Sequence, residues 1–177
     1  RRDGHEGAAP GGVAGYGVWY GKNDDRNEHG AVPGSQKIVR AEGQALARAL
    51  EKSDASLSIR TDSRQVHDGF KRLPEWYARG FMRKPLKAEP LPHSDLWRRI
   101  HREKVRRDAM GLLTEVLWTP SQSRAQHAKI PQITPPTQED AQGNRGAHAL
   151  ARDARMEEAR RCGAGAVNGR KKMKNKR

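Results

Sequence analysis

Acidic residues, aromatic rings and long apolar runs are all scarce in this chain. Asp and Glu number 21 against 35 Lys and Arg, a formal net charge of +14. That excess favours a polyanionic partner, nucleic acid or an anionic membrane surface. Aromatic rings are 5% of residues and hydrophobic side chains 34%, yet 177 residues still suffice for one domain with a core. The longest apolar stretches, such as Gly111–Trp118, fall far short of the roughly 20 residues of a membrane-spanning helix. No secretory signal pattern appears at the start, so the expected setting is the cell interior, nucleus or cytoplasm. A single cysteine, Cys162, excludes an internal disulfide and a thiolate metal cluster. The chain opens on Arg1 rather than Met, and residues upstream of it are expected.

Glycine, proline and apolar period divide what remains. Residues 4–12 are glycine-rich turn material, and Val13–Gly21 reads as a strand broken by glycines. A short edge strand is expected near Ala31 and Val32, ended by Pro33 and Gly34. Ala41, Ala45, Leu46, Ala49 and Leu50 recur at helical spacing, which predicts a helix over Val39–Lys52. Leu57 and Ile59 alternate with polar residues as in a half-buried strand. Helical pieces follow, interrupted by Gly69 and by Pro74, then a basic, proline-broken loop from Phe81 to His93. Ser94 is the expected N-cap of a helix carrying Arg98, Arg99, Arg102, Lys104, Arg106 and Arg107, read as a solvated face because Glu103 and Asp108 are mixed in. Leu112–Trp118 reads as a strand and residues 119–142 as a long loop; a final helix spans Asn144–Arg161. Six of the last nine residues are basic and none is acidic, so the expectation is a domain over 1–160 and a disordered basic tail over 161–177. No internal repeat occurs, and the fold class is mixed α/β.

Three acids and one histidine stand out. Asp3 precedes the glycine-rich turn, Glu42 lies one turn before Leu46 on the apolar side of its helix, and Asp62 follows the alternating strand. An acid on a buried face is costly unless it is paired or holds a metal. Singly, each has a plain alternative: Asp3 as a turn former, Glu42 as a half-exposed helix residue, Asp62 as the N-cap of the next helix. His148 sits on the last helix, where an apolar or solvated residue would serve packing better. Its alternative is a partly exposed histidine with no ligand role.

The order of the surrounding motifs resembles the ribonuclease H family. Arg2-Asp3-Gly4 leads into the glycine-rich turn, Arg40-Ala41-Glu42 opens an alanine-leucine helix and Thr61-Asp62-Ser63 closes a strand. Gly143-Asn144 and Leu150-Ala151-Arg152 flank His148. The likeness continues through Trp76–Phe81, Lys84–Lys87 and Asp95–Trp97, covering nearly all of residues 2–155. The segment Trp118–Gly143 is more like ribonuclease H domains attached to retroelement reverse transcriptases. The resemblance implies a five-stranded mixed sheet flanked by helices, its first strand truncated here, and a two-metal endonuclease that cuts the RNA strand of RNA–DNA hybrids. By that likeness Asp3, Glu42 and Asp62 would hold Mg²⁺, and His148 takes the place of a fourth carboxylate. Two cations about 3.5–4 Å apart would make water nucleophilic and stabilise the leaving oxyanion. An imidazole suits Mn²⁺ better than Mg²⁺, so His148 would weaken the second metal or shift the preference.

Departures from the family pattern are also present. Gln122 stands where the family often has a loop histidine, with His127 as a substitute, and Ala9 and Ile38 replace asparagines that contact the hybrid. His5 replaces a small hydroxyl residue. Two other readings therefore stay open, a catalytically impaired nucleic-acid-binding domain of the same fold left by a retroelement, and an unrelated basic α/β protein of ribosomal type. For either form of the family fold the partner is an RNA–DNA hybrid, without a membrane or small-molecule cofactor, and the chain is a monomer or part of a larger polyprotein. Arg83, Lys84 and Lys87, with Trp76 nearby, would grip phosphates of the DNA strand, the alternative being a solvated loop above a core tryptophan.

Overall fold

The computed structural model describes residues 13–120 and 137–174, with side chains as far as Arg161. In chain order come β1 (Gly15–Val18), β2 (Glu28–Ala31), α1 (Ile38–Lys52), β3 (Leu57–Thr61), α2 (Arg64–Lys71) and α3 (Leu73–Ala78). They are followed by β4 (Met82–Lys84), a 3₁₀ turn (Pro85–Lys87), β5 (Glu89–Pro90), α4 (Ser94–Ala109), β6 (Thr114–Trp118) and α5 (Gln138–Lys174). No helix among the described residues is long and apolar enough to cross a membrane.

The architecture is mixed α/β, as the periodicity predicts. β1 and β2 pair antiparallel, with Tyr16 opposite Gly30. β3 and β6 run parallel, with Ile59 opposite Val116 and Thr61 opposite Trp118. A parallel pair needs a crossover, and α2, α3 and α4 supply it. The expected single five-stranded sheet is not traced among the described residues, where the ladders are three separate pairs. The strand expected to end at Asp3 lies outside them, and with it any ladder that would join β1 to β3.

Packing explains why these segments fold as they do. Leu46 and Leu50 of α1, Val66 and Phe70 of α2, Leu73 and Trp76 of α3, Leu96, Trp97 and Ile100 of α4 and Val116 of β6 form one core. Trp76 and Trp97 meet edge to face with ring centroids 5.0 Å apart. Gly69, expected to break a helix, lies inside α2, because a Cβ there would collide with the Trp97 ring. The region expected as a loop is a small hairpin, with Met82 opposite Pro90 and Lys84 opposite Glu89, turned by Ala88 in the left-handed region (φ 48°). Ser94 is the first residue of α4 rather than its cap, and His93 before it is left-handed (φ 57°).

Arg107 corrects the reading of α4 as a uniformly solvated basic face, since it is completely buried. Its Nε donates to Thr114 Oγ1 at 2.8 Å, Nη2 to the Ala55 carbonyl at 2.6 Å and Nη1 to the carbonyls of Leu50 and Ser53. The guanidinium thus satisfies the carbonyls that the end of α1 leaves without partners, and a cation there also complements the helix dipole.

Helix α5 lies close against β1. A Cβ at Gly17 would fall on the Ala147 carbonyl oxygen and on Leu150, so the strand surface is bare backbone where Ala147 and Ala151 press on it.

Replacing Arg107 by Leu should lower stability by about 3 kcal/mol, since buried carbonyls lose a charged donor with nothing in its place. A urea midpoint that falls at unchanged slope would report it, whereas a loss under about 1 kcal/mol would show that water satisfies these carbonyls equally well. Gly17→Ala should cost roughly 1–3 kcal/mol, and an unshifted melting temperature would mean that α5 does not pack on β1 in solution.

Candidate metal centre

Glu42, Asp62 and His148 come from three elements and share the wall of one cleft. Glu42 is half-buried on α1, between the buried Ala41 and Gly43. Asp62 is the first residue after β3, and its backbone is fixed from both sides. Trp118 Nε1 donates to the Asp62 carbonyl at 3.2 Å, and the Thr119 amide donates to the Thr61 carbonyl at 2.8 Å. The Arg64 guanidinium lies over the Trp118 ring, 5.4 Å from its centroid. Ser63, not Asp62, caps α2, its Oγ accepting from the Val66 amide. Capping is therefore not what Asp62 is for.

His148 projects from α5 with Nε2 3.3 Å from Asp62 Oδ2. The Asp62 hydrogen bond pushes the imidazole above its ordinary pKa; burial opposes this, and the charges of Asp62 and Glu42 add to it. Asp3, Gln122, His127, His5 and Ala9 lie outside the described residues, while Ile38 is exposed at the first position of α1. Among the described residues no group of three or more His, Cys, Asp or Glu could hold a metal ion by itself. The donors in place are two carboxylates with an imidazole beside them. Hard oxygen donors with one nitrogen suit Mg²⁺ or Mn²⁺, so the residues present fit a partial ligand set for such an ion.

The placement of His148 depends on an anchor that apolar periodicity does not reveal. α5 starts at Gln138, six residues before Asn144, where the sequence pattern puts it. Thr137 and Asp140 form a reciprocal cap, Asp140 Oδ2 accepting from the Thr137 amide at 2.8 Å and Thr137 Oγ1 from the Asp140 amide at 3.1 Å. Arg60 of β3 then reaches Asp140 at 2.9 Å, tying the start of α5 to the strand that delivers Asp62. The signal was present as Thr-x-x-Asp ahead of an alanine-rich run.

A second network holds the helix that carries Glu42. Glu28 on β2 accepts from Tyr16 Oη and Arg48 Nε, both at 2.6 Å, and meets Lys52 Nζ at 2.5 Å. Arg48 also reaches Glu51, which pairs through both oxygens with Arg99 of α4, and Arg99 donates to the buried Gln44 at 2.9 Å. Burial works against the Glu28 carboxylate, but the bonds from Arg48, Lys52 and Tyr16 outweigh it and bring its pKa from 4.5 to about 2.

The candidate nucleic-acid residues divide. Arg83 and Lys84 on β4 both pair with Glu89 of β5, each more than half exposed, and Lys87 is exposed on the 3₁₀ turn. Trp76 takes the core reading, at 8% exposure. It supports this segment from beneath and presents no open face to a ligand.

A family model described as RNase H matches residues 3–110, which include Asp3, Glu42 and Asp62 but not His148. The ribonuclease H of Schizosaccharomyces pombe is 36% identical over 97 residues, 54% of this chain and 34% of that protein. The chain thus spans about a third of the length of that curated relative. The solution structure of the PFV RNase H domain superposes with a TM-score of 0.56 at 22% identity, covering 81% of this chain and 82% of that one, a likeness of fold.

The pKa of Glu28 sets a pH dependence for the support of Glu42. A carboxylate held below its ordinary value contributes stability in full above pH 4.5, and that contribution fades as the pH falls toward about 2. Glu28→Gln should therefore flatten the acid limb of a melting-temperature profile. An identical slope in variant and parent would show that Glu28 is not linked to folding.

Proposed function

The chain belongs to the ribonuclease H family, and from that premise we propose that it is a metal-dependent endonuclease acting on the RNA strand of RNA–DNA hybrids. The observation that carries this reading is the approach of His148 to Asp62, with Glu42 in the same cleft, from three segments distant in sequence.

Asp62 and Glu42, with Asp3, would hold divalent cations, Mg²⁺ or Mn²⁺. When bound, such ions supply Lewis-acid activation of water and neutralise the charge that builds on the phosphate. The protein's own part is positional. The Trp118 and Thr119 bonds fix where the Asp62 carboxylate starts, and the Arg60–Asp140 pair fixes how close α5 brings His148 to it. His148 Nε2 donates to Asp62 Oδ2 whenever that nitrogen carries a proton, which steers that carboxylate oxygen. Arg83, Lys84 and Lys87 would hold backbone phosphates of the DNA strand at the hairpin. An imidazole where the family places a carboxylate offers a nitrogen donor in place of oxygen, which would suit Mn²⁺ better than Mg²⁺.

Cleavage of a labelled hybrid should run faster in Mn²⁺ than in Mg²⁺. Asp62→Asn should reduce it by more than the roughly 10–100-fold typical of losing a residue that only orients a ligand. His148→Asp should narrow the difference between the metals. Full-rate cleavage by Asp62→Asn would remove the metal role assigned to that residue. Tight binding of the hybrid without cleavage in either metal would favour the impaired binding-domain reading, which the histidine at 148 and the glutamine at 122 both suggest.

A further inference from the structure

Tyr77 on α3 is 63% exposed although the apolar residues that anchor its helix are not. Leu73 is fully buried, Trp76 is 8% exposed and Phe81 is 3% exposed, so α3 is anchored without any help from Tyr77. Its ring lies parallel to the imidazole of His101 on α4, with centroids 4.4 Å apart and planes 13° from one another. Phe81 meets both rings edge-on, Tyr77 at 6.4 Å and His101 at 5.7 Å, and so props the stack from below. Burial, with the charge of Lys104 adding to it, pushes the His101 imidazole below its ordinary pKa.

Cations surround these rings. Arg98 lies over Phe81, 5.0 Å from its centroid, and spends one donor on the Gly80 carbonyl, leaving the rest of its fork. Arg102, 72% exposed, lines the same shallow depression as Tyr77, His101 and Val105, and Val105 is itself 52% exposed. Its contact with Glu103 is a long one, 3.7 Å, of the exposed kind that contributes little and yields readily to a competing anion. A protein partner of ordinary acidic character would answer the arginines but leave the aromatic faces unmatched. A stacked ring pair with guanidinium groups beside it matches a chain of alternating phosphates and flat bases.

We infer that the outer face of α3 and α4 is a platform for single-stranded nucleic acid, on which a base stacks on the exposed Tyr77 ring, backed by His101, while Arg98 and Arg102 hold the flanking phosphates. The platform lies apart from Glu42, Asp62 and His148, and its ligand is an unpaired strand rather than a duplex. A single-stranded extension of a hybrid could rest there, but the assignment does not depend on cleavage.

The test is fluorescence-anisotropy titration of a short labelled oligouridylate, in EDTA so that no metal chemistry intervenes, at low and moderate salt. Tyr77→Ala and His101→Ala should each weaken binding about tenfold, within the range known for loss of one base stack, while Tyr77→Phe stays within about twofold of the parent. Melting curves of Tyr77→Ala and Tyr77→Phe should coincide with the parent, since the Tyr77 ring is largely exposed. Binding of a blunt-ended RNA–DNA duplex should not change in Tyr77→Ala. Equal oligouridylate affinity in parent and Tyr77→Ala would overturn the assignment. So would a concentration-dependent dimer in sedimentation that Tyr77→Ala dissociates, because the face would then be an interface between copies of this chain. A failure of the nuclease reading would show only in the cleavage assay, so the two outcomes can be told apart.

Discussion

One guanidinium joins the pieces on which the candidate site rests. Arg107 reaches from the end of α4 to the last carbonyls of α1, to the Ala55 carbonyl on the way into β3, and to the first residue of β6. α1 carries Glu42, β3 delivers Asp62, and β6 ends in the tryptophan that holds the Asp62 backbone. Burial, with Arg106 adjacent, pushes the Arg107 guanidinium below its ordinary pKa, yet arginine remains charged throughout the range in which proteins fold. Its hydrogen-bond partners are four neutral oxygens, which solvate the charge. Such an arrangement tolerates little substitution, because lysine has neither the reach nor the planar fork to serve three separate carbonyls.

The second constraint is the absence of side chains between β1 and α5. Gly15 and Gly17 on one side and Ala147, Ala151 and Ala154 on the other let two backbones approach where most sequences would hold them apart. The close approach, with the Arg60–Asp140 pair at the helix start, sets the height at which His148 emerges over Asp62. The main core lies elsewhere, under α1, α2, α3 and α4.

What was legible in the sequence follows from the range of the forces involved. α1 and β3 could be read because alanine-leucine spacing and the alternation of Leu57 and Ile59 are local signals. Gly69 was misread because its reason, the Trp97 ring, is nearly thirty residues away, about the span of three short elements. The hairpin from Met82 to Pro90 looked like a loop because strands of three and two residues broken by prolines carry no period. Arg107 looked like one more solvated cation because neighbouring acids suggested pairing on the surface. Family membership came through motif order rather than through any one element, and it removes the reading of an unrelated basic fold. For the site, Glu42 and Asp62 stood out as acids where packing alone would not put them, and the structure places His148 beside the second of them.

The charge excess that opened the question is resolved by where the carboxylates are spent. Many arginines are committed to partners within the fold: Arg48 and Arg99 to Glu28 and Glu51, Arg40 to Asp95, Arg72 and Arg79 to Glu75. Few acids remain for the hairpin, where Arg83 and Lys84 share Glu89 while Lys87 extends beside them. One carboxylate between two exposed cations neutralises half of their charge and does so in high dielectric, where each such contact is worth at most about 1 kcal/mol. A phosphate can displace it at little energetic cost and restore the other half. Under the proposed reading Glu89 would act as a resident counterion that the phosphates of a bound polyanion replace. Because the displaced interaction and the new one would both be screened by salt, a contribution of the hairpin to binding would fall as ionic strength rises, while the fully buried Arg107 contacts would stay nearly unaffected.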